Sequence, residues 1–220
     1  PTLTATLTSS MTRTRGASLT PSNTLTPSAS MTVTHTATAT QTATITTTPT
    51  PLTPVSQPLA AADHSLVIDA SQQVVGWGSN SAGQRTVPSG LTAVVALAAG
   101  GAHTLALKSD GTVVAWGSNS AAQSTVPVSL TDVVAIAAGS AHSVALKADG
   151  TVVVWGDNTQ GQRAVPVGLN EVVAIAAGGS HTVALKSNGT VVAWGDATRG
   201  QTAVPPWLWH VVAIAAGSAH

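Results

Sequence analysis

The sequence predicts an all-β fold: a β-propeller of 39-residue blades, preceded by a disordered Thr-rich segment. Three observations carry this expectation. The stretch VVALAAGGAHTLALKSDGTVVAWGSN returns 39 residues later as VVAIAAGSAHSVALKADGTVVVWGDN, and after 39 more as VVAIAAGGSHTVALKSNGTVVAWGDA. Self-similarity at such a period signals a propeller or a solenoid. Each copy is rich in Val and Ala, shows no sustained 3.6-residue period, and so excludes helical repeats. The first sixty residues hold 21 threonines and share no pattern with the rest.

Taken in chain order, residues 1–58 form the first region. Ser, Ala and Pro fill most positions between the threonines, and the charges are Arg13 and Arg15. Such a segment lacks the apolar surface to offset about 1 to 2 kcal/mol of backbone entropy per residue. The period-two run THTATATQTATITTT favours a strand by propensity, but both faces of that strand would be small or hydroxylated. The segment therefore reads as a disordered stalk or linker open to O-glycosylation. Extended at about 3.1 Å per residue, it would hold a domain on the order of 150 Å from its attachment point.

Residues 59–220 form the second region, the propeller repeats. The units are anchored at His64, His103, His142 and His181 and truncated at His220; Trp77, Trp116, Trp155 and Trp194 keep the same spacing. Within a unit, VVAIAAG and HTVALKS are short aliphatic strands. TVVAWG follows after Asp-Gly, or after Asn188-Gly189 in the fourth unit, as the far strand of a hairpin with a two-residue turn. The Pro- and Gly-bearing remainder, GQRAVPVGLNE in the third unit, is a loop with at most one short outer strand. Alanine in AIAAG suits strands near the axis of a tapering blade. A parallel β-helix is the runner-up architecture.

The pattern AAGSAHSVALKADGTVVVWGDNTQGQ of the third unit resembles the repeat of the regulator of chromosome condensation family. The resemblance implies a seven-bladed propeller, and the short unit and its A-V-P segment are closest to compact bacterial secreted members, which include a β-lactamase inhibitor protein. On that basis the repeats are expected to form an open arc of about four blades, a fragment of a seven-bladed ring. Pro58 is expected to deprive the first unit of its opening strand, and residues 211–217 to supply a strand without its hairpin. Starting at Pro1 and stopping partway through a unit, the chain reads as a fragment of a longer reading frame.

Composition narrows the function. The formal net charge is zero and cysteine is absent. No basic stripe exists for phosphate backbones, so no nucleic-acid partner is expected. The aliphatic runs are far shorter than the roughly 20 residues that span a bilayer. The Thr-rich stalk points to an extracellular or cell-surface setting.

The repeated residues read as scaffold, with no catalytic, metal or cofactor site. The histidines are expected to be buried and bonded to backbone beside Gly100, Gly139, Gly178 and Gly217. Zinc requires ligands converging within about 2.1 Å of one ion, which equivalent positions on adjacent blades do not offer. The neighbouring Ser or Thr, with Asp110 or Asp149, recurs in every unit, whereas catalysis needs one asymmetric pocket. Asp-Gly turns supply one carboxylate each where calcium takes six to eight oxygens. The tryptophans read as packing anchors between blades.

Partner binding then falls to positions that differ among units. The loops after each Trp are small and poorly equipped as hot spots, apart from Arg199, a candidate partner-binding residue. The exception is PPWLWH, residues 205–210, where Leu208 keeps the core position and Trp207 and Trp209 share the outward side, either as a contact patch or packed against a neighbouring loop or further sequence. The expected function is a non-enzymatic extracellular module presenting one face to a protein or glycan. The alternatives are an accessory propeller positioning a catalytic domain elsewhere or, as the resemblance implies, a guanine-nucleotide-exchange-like or β-lactamase-inhibitor-like activity.

Overall fold

The computed structural model describes residues 59–60 and 63–220; the Thr-rich stalk expected over residues 1–58 lies outside the described residues. Among the described residues the regular structure is all β. Twelve strands form four three-stranded antiparallel sheets. The first blade contains β1 (Leu59–Ala60), β2 (His64–Ile68) and β3 (Val74–Gly78). The second contains β4 (Val94–Ala99), β5 (His103–Lys108) and β6 (Val113–Gly117). β7 (Val133–Ala138), β8 (His142–Lys147) and β9 (Val152–Gly156) make the third, and β10 (Val172–Ala177), β11 (His181–Lys186) and β12 (Val191–Gly195) the fourth. No outer fourth strand forms: the Pro-bearing loops run as successive turns.

The middle strand of each blade is the most buried because a strand covers each of its edges and, in the second and third blades, a neighbouring blade covers each face. Leu105, Ala106, Val144, Ala145 and Ala184 are fully buried. Alternation along the strand sends successive side chains to opposite blade faces. Leu66 therefore joins Ala106 and Trp116 of the next blade in one apolar cluster, and Val144 and Leu146 join Ala184 and Trp194 in another. Leucine and valine leave one blade and meet alanine and tryptophan of the next.

Three expectations are corrected. The hairpin turn has three residues: Lys108 and Thr112 are bonded across Ser109-Asp110-Gly111. Only Gly111 takes positive φ, at 76°, as the left-handed residue of such a turn. Asp110 serves differently, its carboxylate accepting the Thr112 N–H at 3.0 Å and its hydroxyl at 2.6 Å. The first blade has an opening strand after all, because Leu59 and Ala60, just beyond Pro58, pair with Leu66 and Ser65. Residues 211–217, expected as a strand, form none, since no β-ladder partner lies beside them among the described residues.

Where each inner strand begins, the register slips by one residue, at Val94/Ala96, Val133/Ala135 and Val172/Ala174. Such a bulge leaves one residue unpaired. Val134 and Val173 consequently stand about half exposed.

Candidate protein-binding rim

The histidines build the junctions between blades. His103 is fully buried, and its Nε2 lies 3.0 Å from Ser143 Oγ of the following blade. That hydroxyl donates at 2.8 Å to the backbone carbonyl of Gln123, in the loop leaving the histidine's own blade. The same carbonyl accepts the Trp155 indole N–H at 2.9 Å. One hydroxyl proton cannot serve two acceptors, so Nε2 carries the hydrogen and donates to Oγ. His64 with Thr104 and Gln84, and His142 with Thr182 and Gln162, repeat the relay. The expected histidine bond to backbone is thus corrected: the ring reaches backbone only through the hydroxyl of the next blade.

This relay fixes the charge state. Burial, reinforced by the neighbouring His142, pushes the His103 pKa down to about 4, and burial together with His181 does the same for His142. Neutral imidazole with hydrogen on Nε2 leaves Nδ1 a bare acceptor, and Nδ1 of His64, His103, His142 and His181 is unpaired in its pocket. Gly100, Gly139, Gly178 and Gly217 seat the rings of His103, His142, His181 and His220: a Cβ on Gly139 would strike the His142 imidazole and lie 2.5 Å from the Gly178 carbonyl oxygen. Trp116, Trp155 and Trp194 are buried and donate to the Gln84, Gln123 and Gln162 carbonyls. Trp77 departs from the packing role and stands half exposed, because no described blade precedes it to supply that carbonyl.

A histidine and a hydroxyl at 3.0 Å share the spacing of a base and its nucleophile. Here the proton runs the other way, from imidazole to hydroxyl to carbonyl, and both groups are sealed from solvent. No three His, Asp or Glu side chains among the described residues converge to hold a metal ion.

The opposite ends of the blades carry the exposed apolar groups. Each hairpin turn docks against the loop entering the next blade, with the N–H of Val133 on the Gly111 carbonyl at 3.1 Å and that of Val211 on the Gly189 carbonyl at 3.1 Å. Those loops place Val128, Val167 and Pro206 at one position of successive units, with Trp207 and Trp209 one and three residues further on. Val128 and Val167 are fully exposed, and Trp207 and Trp209 are 70% and 67% exposed, while Leu208 turns inward. The turns docked on the Val128 and Val167 loops carry the exposed carboxylates Asp110 and Asp149, and the turn docked on the Trp207 loop carries Asn188. The Lys108 ammonium at 2.8 Å and hydrogen bonds from Thr112 hold Asp110 well below the usual carboxylate range.

Arg199 is exposed but does not join this rim, since it follows β12 at the end opposite Trp207 and Trp209. Sequence reasoning missed Val128 and Val167. The signal was available in P-V-x-L, a valine between a turn-setting proline and an inward leucine.

Residues 94–123, 133–162 and 172–201 match the model of the regulator of chromosome condensation (RCC1) repeat. The chain carries RCC1 repeats. Among solved structures, these RCC1 blades resemble Prp20p from Saccharomyces cerevisiae, with a TM-score of 0.61 and 22% identity, over 74% of this chain and 53% of that one. Human WBSCR16 superposes with a TM-score of 0.59 at 24% identity, covering 74% of this chain and 55% of the other. The entire ectodomain of the Physcomitrella patens receptor kinase CR4 gives 0.62 at 29% identity, covering 76% and 48%. The chain therefore spans about half the length of each of these structures. A comparison with curated proteins finds no match. Prp20p has binding properties toward Gsp1p and histones.

Proposed function

We propose that this chain is a non-enzymatic, extracellular interaction module that grips a protein partner with the hairpin-side rim of its blades. The observation that carries the reading is the exposure of Trp207 and Trp209 at 70% and 67% on a loop whose counterparts expose Val128 and Val167. Indoles are enriched among residues that dominate protein-binding energy, and an apolar group beside polar turns fits a hot spot with a polar rim. Prp20p, a relative in fold, binds proteins. The CR4 relative is a receptor ectodomain, which favours the extracellular setting. The non-enzymatic reading draws support from the buried relays, in which each hydroxyl proton is committed to a carbonyl. Sugar stacking on the indoles, the glycan alternative, has no relative to support it.

The test is partner capture by crosslinking at the cell surface, followed by affinity measurement. Trp207→Ala with Trp209→Ala is expected to weaken binding roughly a hundredfold at unchanged melting temperature. Equal binding by the double variant, or protection of the protein from protease added to intact cells, would overturn the rim or the setting respectively.

A further inference from the structure

The hairpin turn of the fourth blade departs from its counterparts in the chemistry of one side chain. Ser187-Asn188-Gly189 stands where the second and third blades have Ser109-Asp110-Gly111 and Ala148-Asp149-Gly150. The backbone closes alike in all three: the N–H of Lys108, Lys147 and Lys186 donates at 2.9 Å to the carbonyl of Thr112, Thr151 and Thr190. Asn188 also reproduces the side-chain bonds of Asp110. Its Oδ1 accepts the Thr190 N–H at 3.0 Å and the Thr190 hydroxyl at 2.7 Å, against 3.0 and 2.6 Å for Asp110 with Thr112. Both bonds end on Oδ1, so a carboxylate closes this turn as well as an amide does. An amide forfeits the ion pairs that Lys108 and Lys147 make with Asp110 and Asp149. What it adds is the nitrogen, Nδ2.

Asparagine followed two residues later by threonine or serine, with no proline between, is the acceptor triplet for an N-linked glycan and calls for a surface turn. Asn188-Gly189-Thr190 meets the pattern, and none of the other five asparagines has Ser or Thr two residues on. The position is open in the body of the repeats: Asp110 and Asp149, in blades flanked on both sides, keep 54% and 58% of their side chains exposed, and Asn188 is exposed as well. All the bonds of the turn lie within residues 186–190, so the acceptor can take this form before the blades pack.

We propose that Asn188 carries an N-linked glycan. The proposal rests on the extracellular setting proposed above, because the donor, a sugar chain held on the pyrophosphate of a membrane lipid, serves chains that cross a membrane. Nδ2 attacks the anomeric carbon of that donor. A C–N bond replaces the C–O bond to phosphate, the lipid pyrophosphate leaves with the bonding electron pair, and one Nδ2 proton passes to a base of the transferase. The Thr190 hydroxyl, donating to Oδ1, holds the amide with Nδ2 left out of the turn. The sugar then stands on the hairpin-side rim, on the turn that docks against the Trp207 loop through the Val211 N–H and the Gly189 carbonyl.

The test is mass spectrometry of the tryptic peptide 187–199 from the full chain, tagged by a membrane-impermeant reagent on the cells that make it. A sugar on Asn188 is expected. Asn188→Asp, which rebuilds the turn of the second and third blades, is expected to lose the sugar while circular dichroism stays unchanged. Tagged chains with Asn188 bare, or a sugar on this peptide that persists in Asn188→Asp, would overturn the glycan and leave the extracellular setting standing. Absence of the chain from the tagged pool would overturn both.

Discussion

Trp155 and Trp207 share a side chain and nothing else. The first is 5% exposed and donates to a carbonyl of the preceding blade; the second stands on a loop in solvent. Trp155→Ala or Trp116→Ala is expected to cost roughly 3 to 5 kcal/mol, read by chemical denaturation. Trp207→Ala with Trp209→Ala should stay within about 0.5 kcal/mol, and a large loss there would mark the pair as core. Glycines divide in the same way. Gly139→Ala drives a methyl group into the His142 ring and the Gly178 carbonyl, a clash of roughly 1 to 3 kcal/mol or more. Gly161→Ala meets open space and carries only the cost of its left-handed φ of 79°, about 1 kcal/mol. Equal losses at the two sites would contradict the seating of the imidazole. The sequence showed the spacing of these residues but not their partners, because the relay joins residues 20, 32 and 40 apart. Period alone names equivalent positions; it does not say which loop carbonyl lies under which indole.

Among the elements, the strands were the most legible. Alternation, Asp-Gly and Asn-Gly turns and β-branched runs located eleven of them, all but β1. What escaped was decided by neighbours. β1 exists because β2 offers an edge just past Pro58, and residues 211–217 fail as a strand although they repeat the β10 sequence. The elements also share an acid weakness. The unfolded histidine pKa is about 6.5 and the folded value for His103 and His142 about 4, so the unfolded chain takes up protons first as pH falls. Their contribution is fully present above pH 6.5 and is lost as pH drops from 6.5 toward 4, by about 3 kcal/mol for each histidine. Denaturation midpoints measured at pH 7.5, 5.5 and 4.5 should fall steadily. A flat profile across that window would mean the rings are not sealed as neutral imidazoles.

Across the whole molecule, the work is divided between the two ends of each blade. The glycine end is committed to cohesion: the N–H groups of Gly101, Ser140 and Gly179 bond the carbonyls of Gly139, Gly179 and Ser218 in neighbouring units, and the histidine relays lie behind them. The hairpin end carries what is left for recognition, and this split was legible only for Trp207 and Trp209, whose bulk departs from the repeat. The measurement that tests the division most directly is oxidative footprinting of the indoles by mass spectrometry, on the free chain and on its complex with the captured partner. Trp207 and Trp209 should oxidise rapidly when free and be protected at least tenfold in the complex, while Trp116, Trp155 and Trp194 stay unmodified in both. Protection confined to the glycine end, or rapid oxidation of the three buried indoles, would contradict the account.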